Sequence, residues 1–386
     1  MDQQSLSTPS DAPLEPTSVE PTPAALTPEP PAHRPQPSWL RALRYTFLGD
    51  QRIRSGWSIL VFIVIFATFG FVIKTAAAKA HLTGRSGGFS PSSAAIGEGL
   101  VLVCLLMAAF VVARIERRRT LLEYNLLGPR RVMHFFSGLA VGFLALSALV
   151  GAMAWGGWLH FGAPSLTGAD IFRFAALWGC AFFLVGCVEE GLFRCYLQAT
   201  LARGINFWWA IGLIGAMCLD LILRAKGNGV WGVYAAALLG LAPCLWLYLR
   251  KSERAGFWQA AWVTSTLFGF VHTSNDGENW IGIFGAAAIG FVLVVSIRVT
   301  GSAWWAIGCH AAWDWAETYF YGTIDSGLVS KGHFLTTNPT GNALWSGGTD
   351  GPEGSLLIIP IILLILLAVL AIHGRKQPSA LPAPAA

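Results

Sequence analysis

What most constrains this chain is a succession of apolar runs of about 17 to 25 residues, each long enough to cross a hydrocarbon core of roughly 30 Å as a helix. They fall near 57–74, 96–113, 136–158, 170–203, 207–223, 231–249, 256–273, 280–297, 303–320 and 354–373. In lipid, backbone N–H and C=O groups must be satisfied within the segment, so such runs fold as helices. The expected fold class is all-α, a polytopic transmembrane bundle of about ten spans (eight to ten). Composition agrees: 54% of the 386 residues are hydrophobic and only 12% charged, with a mean hydropathy of +0.55, too little polar material to clothe a soluble globule of this size. A net charge of +5 is explained by basic residues between spans and calls for no nucleic acid.

Residues 1–38 hold ten of the chain's 20 prolines among Ser, Thr, Ala and Glu, a composition that cannot build a core. They are expected to form a disordered tail, followed by a basic interfacial segment to residue 50. The N-terminus lacks a basic-then-apolar leader pattern, so the first span is expected to direct insertion. Residues 51–165 read as N-terminal transmembrane helices, 166–322 as the chemical core with a two-helix insertion near 205–255, and 323–386 as an outer loop, a last span and a short tail. The basic loop RIERRR (114–119), with Arg130 and Arg131, sets the orientation by the positive-inside rule. Both termini are then cytoplasmic, in the plasma membrane for a bacterial chain. Seven cysteines without a CxxC pair suggest neither a disulfide framework nor a thiolate zinc site. No internal repeat stands out.

Three polar intrusions interrupt the apolar runs. EEGLFR (189–194) places Glu189, Glu190 and Arg194 deep in a helix of over thirty residues, capped by Thr167 or Asp170 at its start and Gly204 at its end. An ionisable residue at such depth is a functional hypothesis in itself. Glu190 and Arg194, spaced i,i+4, can pair, while Glu189 points about 100° away and stays free for chemistry. FGFVH (268–272) and HAAWD (310–314) repeat the i,i+4 spacing with Phe268 and His272, and with His310 and Asp314. At 1.5 Å per residue, Glu190 lies about 20 Å from Arg203, His272 about 27 Å from Arg254 and His310 about 18 Å from Arg298. Three helices can therefore bring these groups to a common depth. Glu189, His272, His310 and Asp314 form a donor set suited to zinc or another divalent metal, and the same groups can activate water as bases.

These three motifs, in this order, resemble the EExxxR, FxxxH and HxxxN/D motifs of the CPBP family of intramembrane proteases, which includes CAAX-processing endopeptidases and bacteriocin-immunity proteins. TGSAWWAIGCH (300–310) is also similar to the family's run into its last histidine. The resemblance covers about 170–320. It implies that Glu189, assisted by His272, polarises a water for attack on a peptide carbonyl, with His310 and residue 314 stabilising the oxyanion or completing a metal site. Two features depart from the family: the inserted helix pair of 205–255, and Asp314 where many members carry Asn. An ionised Asp cannot donate to an oxyanion, so Asp314 is expected to be a ligand or to orient a histidine.

Plainer readings stand beside these. Glu190 with Arg194 can be a structural ion pair, His272 an interfacial histidine and His310 a hydrogen-bonded core residue, while Phe268 is expected to pack. The resulting expectation is an intramembrane endopeptidase acting on a peptide or protein substrate with an apolar segment, with membrane lipids as its surroundings and no nucleic-acid partner. An ion- or proton-coupled transporter and a non-catalytic immunity or scaffold protein are the alternatives.

Overall fold

The computed structural model describes residues 38–48, 52–79, 90–224, 242–250, 255–275, 277–325 and 330–374. The chain divides into two units, residues 1–43 and 44–386. The proline-rich tail to residue 37 lies outside the described residues; an amphipathic helix, α1 (Ser38–Phe47), crosses the division. The second unit contains α2 (Ser55–Lys79), α3 (Pro91–Ile115), α4 (Arg131–Trp155), α5 (Ala169–Gly204), α6 (Phe207–Arg224), α7 (Ala255–His272), α8 (Trp280–Thr300), α9 (Trp304–Asp314) and α10 (Ile358–His373). Residues 242–249 are also helical, while 231–241 of the run read as 231–249 lie outside the described residues.

Every other apolar run coincides with a helix, so the all-α membrane fold class holds. Among the described residues, length and hydropathy mark five helices as able to cross a membrane. Ser55–Ala76, Pro91–Ile115, Arg131–Trp155, Ala169–Gly204 and Trp280–Thr300 are long and apolar enough to cross a membrane, and Phe207–Leu223 and Ile358–His373 are apolar but shorter. α7 falls below that standard because of its polar side chains, Gln259, Thr264 and His272 among them, and α9, which carries His310 and Asp314, is 11 residues long.

Local chemistry sets the helix ends. Ser90 caps α3 through a reciprocal bond with Ser93, with Pro91 in the first turn where its missing N–H costs nothing. Asn279 caps α8 by accepting the N–H groups of Ile281 and Gly282, and Gly301 at φ +82° ends it. α5 ends at Gly204 as expected, but its N-cap is Gly168, with no side-chain bond from Thr167 or Asp170.

α4 and α9 pack backbone to backbone. A Cβ on Gly138 would run into the Trp305 carbonyl, one on Gly142 into the Cys309 carbonyl, and one on Gly308 into the Phe135 carbonyl. Small residues at i and i+4 let two helices approach to van der Waals contact where lipid offers no hydrophobic drive. This contact fixes the helix that carries His310. At the basic end, buried Glu116 gathers Arg118 Nε at 2.7 Å, Tyr124 Oη at 3.0 Å, Arg203 and Ser58, tying α2, α3 and α5 together. Burial would raise the Glu116 carboxyl, but the Arg203 and Arg118 guanidiniums and the Ser58 hydroxyl hold it below its ordinary value. At the opposite end, β1 (Leu159–Phe161) pairs antiparallel with β2 (Thr337–Pro339) and Trp158 stacks on Trp345 at 5.0 Å, so the loop after α9 is a folded cap.

Gly142→Leu is expected to cost about 3 kcal/mol or more by forcing α9 off α4, and to abolish any activity that depends on His310. Thermal unfolding of the detergent-solubilised protein measures the first effect; a variant of unchanged melting temperature would contradict this packing.

Candidate active site

The site is built on α5, α7 and α9. Within α5, Glu189 and Glu190 end a regular α-helical stretch, and Gly191–Leu197 continue it as a π-helical stretch. α9 behaves alike, since Trp315–Tyr321 follow Asp314 as a second π-helical stretch. Both wide turns begin at the residue after a site carboxylate, the kind of place where π geometry is often found.

The two adjacent glutamates have different surroundings. Glu190 is fully buried, whereas the Glu189 side chain is 34% exposed. Glu190 Oε2 lies 3.2 Å from Arg194 Nε, the expected i,i+4 pair. Its other oxygen is 2.8 Å from His310 Nδ1. A carboxylate accepts, so Nδ1 carries the proton of that bond and the imidazole is fixed in orientation. His310 Nε2 then faces Glu189 Oε2 at 3.7 Å and Asp314 Oδ2 at 3.5 Å, both longer than a hydrogen bond. That edge of the ring is flanked by two carboxylates.

Arg194 is 1% exposed and its two terminal nitrogens lack hydrogen-bond partners. Its guanidinium instead lies 4.0 Å over the Phe268 ring, a cation–π contact that strengthens when desolvated. Gly290 leaves room for it, since a Cβ there would sit 2.8 Å from Arg194 Nη2. Phe268 thus does more than pack: its ring also contacts His272 at 4.7 Å and His310 at 6.1 Å between centroids.

The structure therefore brings Glu189, Glu190, Arg194, His310 and Asp314 into direct contact. His272, the last residue of α7, joins them through Phe268. Its Nδ1 donates to the Phe268 carbonyl at 2.7 Å, which leaves Nε2 as the acceptor. Among the described residues no hydrogen bond or ion pair links His272 to Glu189 or His310. The tentative metal set of Glu189, His272, His310 and Asp314 has suitable donor chemistry, but among the described residues no three His, Cys, Asp or Glu groups converge as ligands.

α6 and the helix at 242–249 pack in a separate apolar cluster with the end of α5 and the start of α7, through Leu201, Phe207, Ile214, Cys244 and Val263. No site residue belongs to that cluster.

The loop after α9 supplies acids that motif reading missed. Trp313 Nε1 donates to Glu353 Oε1 at 2.8 Å, and the Thr318 hydroxyl donates to Asp325. Burial raises the Asp325 carboxyl, with the Thr318 bond opposing, Glu189 adding to the rise, and His310 and His272 countering it; Asp325 therefore lies within electrostatic reach of all three. Burial, then Asp350 and Glu353, push Glu278 up to about 8, and burial with Asp325 and Asp350 pushes Glu353 up to about 7.

A family model described as type II CAAX prenyl endopeptidase Rce1-like matches residues 243–316. The match is consistent with a CPBP family intramembrane protease. It takes in Phe268, His272, His310 and Asp314 and stops short of the α5 carboxylates. No curated protein and no solved structure matches the chain. With the apolar helices, the family match supports an integral membrane protein of the protease class.

Glu278 binds its proton more tightly folded than unfolded, so its contribution to stability is complete below its ordinary value of 4.5 and is lost as pH rises to about 8. Melting temperatures across that window are expected to fall with pH in the wild type and to fall less in Glu278→Gln. Parallel curves would contradict the assignment.

Proposed function

We propose that this protein is an intramembrane endopeptidase that hydrolyses peptide bonds of membrane-associated substrates. The observation that carries this reading is the approach of Glu189 Oε2 to His310 Nε2 at 3.7 Å, with His310 fixed from behind by Glu190 at 2.8 Å. A partly exposed carboxylate beside an oriented imidazole is a base and an electrophile at one place.

In this reading Glu189 accepts a proton from water, and the oxygen adds to the peptide carbonyl carbon. His310, carrying a second proton on Nε2 between the Glu189 and Asp314 carboxylates, donates it in a hydrogen bond to the oxygen that becomes negative, and His272 Nε2 accepts from the attacking water. Collapse of the tetrahedral species breaks the C–N bond, and the proton held by Glu189 passes to the leaving amine. Asp314 acts on His310 and not on the oxyanion, since two negative oxygens repel. Glu190 and Arg194 are positioning residues. The matched description names a prenyl endopeptidase; a prenylated substrate is one member of the apolar class this site would accept.

Purified protein in lipid discs is expected to cleave a quenched fluorescent peptide bearing an apolar segment. Glu189→Gln and His310→Ala should each lower kcat by about 10² or more, the scale of general acid–base catalysis. Wild-type rates in both variants would end the protease reading, and solute or proton flux lost in Glu189→Gln would favour a transporter instead.

Metal use is tested separately, by metal analysis of the purified protein and by cleavage after chelation. The acid–base roles above expect cleavage to survive. A stoichiometric divalent ion whose removal stops cleavage, and whose return restores it, would replace them with ligand roles for Glu189, His272, His310 and Asp314.

A further inference from the structure

The loop between α3 and α4 bonds to both α5 and α9, and a single residue makes both contacts. Asn125 has a left-handed backbone, φ +57°, which asparagine and glycine adopt more readily than other residues. Its carbonyl accepts the N–H of Ala303, the residue at the start of α9, at 2.8 Å. Its side-chain Nδ2 donates to the Arg194 carbonyl at 2.8 Å, inside the π-helical stretch of α5. A carbonyl only accepts, so the amide nitrogen is the end that faces it.

These two bonds close a ring of contacts around the site. Asn125 holds Arg194, whose Nε lies 3.2 Å from Glu190, and Glu190 is 2.8 Å from His310 Nδ1. From His310, α9 runs back two turns, about 10 Å, to Ala303 and so to Asn125 again. α5 and α9 are therefore joined at two levels, by the Glu190 bond and by Asn125. Helices pinned at one level can pivot about it, whereas two levels hold one register. The loop is itself anchored on both flanks. Trp304 Nε1 donates to the Leu126 carbonyl at 3.2 Å, and a Cβ on Gly128 would stand 2.9 Å from the Ser302 side chain, so the loop sits against the turn into α9. On the other flank Tyr124 donates to buried Glu116 at 3.0 Å, with the Arg118 guanidinium 4.1 Å over its ring.

We propose that Asn125 is a positioning residue of the site, setting the spacing of α5 and α9 at which Glu190 holds His310 Nδ1 and His310 Nε2 faces Glu189. Its weight in catalysis rests on the protease reading above; its hold on His310 does not. The place calls for a left-handed backbone and a side-chain donor together, and asparagine supplies both. Glycine there would keep the backbone and the Ala303 bond and remove the donor. Aspartate would keep the shape and set an acceptor against the Arg194 carbonyl.

The test uses the full chain in lipid discs, labelled with 15N at histidine, with the His310 signals assigned by their loss in His310→Ala. Asn125→Gly and Asn125→Asp are each expected to shift the His310 Nδ1 resonance. His333, whose Nδ1 donates to the Ser330 carbonyl at 2.8 Å in the cap, should keep its own. For the quenched peptide, kcat should fall about tenfold in Asn125→Gly and further in Asn125→Asp with KM little changed, the pattern of a misaligned site that still binds substrate. Leu127→Ala, at an exposed position of the same loop, should match the wild type in both readouts. Unchanged His310 resonances in both Asn125 variants overturn the proposal whether or not peptide is cut. An equal shift at His333 with a falling melting temperature also overturns it, since that marks general loosening. So does a wild-type kcat in both variants. A shift confined to His310, in a protein whose wild type cuts no peptide, keeps the positioning role and rejects the protease reading.

Discussion

A carboxylate with no exposure to solvent, Glu190, sets the geometry of the site. Taking such a charge out of water costs several kcal/mol unless partners surround it, and here the partners come from two helices. Arg194 Nε lies on the same helix at 3.2 Å and His310 Nδ1 on α9 at 2.8 Å. α5 and α9 must therefore stay in register. Their backbones come close enough at Gly186, where a Cβ would stand 3.1 Å from the Ile307 carbonyl, and α4 holds α9 from the other side through Gly138, Gly142 and Gly308. Because Glu190 absorbs both structural demands, Glu189 is left with a third of its side chain open and, among the described residues, no ion-pair partner except the far edge of His310.

The helices were legible because the quantity that makes them, sustained hydropathy over a fixed length, is written in the chain. The different surroundings of Glu189 and Glu190 were also legible, since they need only the angle between successive residues on a helix and the i,i+4 pairing of Glu190 with Arg194. The bond from Glu190 to His310 was not, because no periodicity relates residues 120 apart on different helices. The depth reckoned for His310 from Arg298 runs across the turn at Gly301 and so counts residues that belong to α8. The π-helical stretches after Glu190 and Asp314 carry no sequence signature, and the spacing of Gly138 and Gly142 signals close packing only once Gly308 is known to face them.

The cap shows a different limit. Residues 322–354 have no apolar period, and the fold of those described, 322–325 and 330–354, depends on particular bonds: the β1 and β2 pairing, the stacking of Trp158 on Trp345, and Asn279 Nδ2 donating to the Gly347 and Gly354 carbonyls. A loop of this kind is specified by turns and side-chain-to-backbone contacts, which pattern reading does not resolve. Its acids belong to no motif in the sequence, although Asp350 is among the most buried polar residues described.

Asp314 can be understood from the charges now placed around it. Arg194 is matched by Glu190, which leaves Glu189 and Asp314 against the imidazole edge of His310. An asparagine at 314 would leave Glu189 as the one carboxylate at that edge and would offer a donor to the oxyanion. Under the proposed mechanism an aspartate gives up that donor and in exchange strengthens His310 as the proton-bearing partner, so stabilisation of the developing charge falls on His310. A site organised in this way depends more heavily on imidazole orientation than one with an amide in reserve. The buried Glu190 anchor and the three-glycine contact of α4 with α9 supply that orientation.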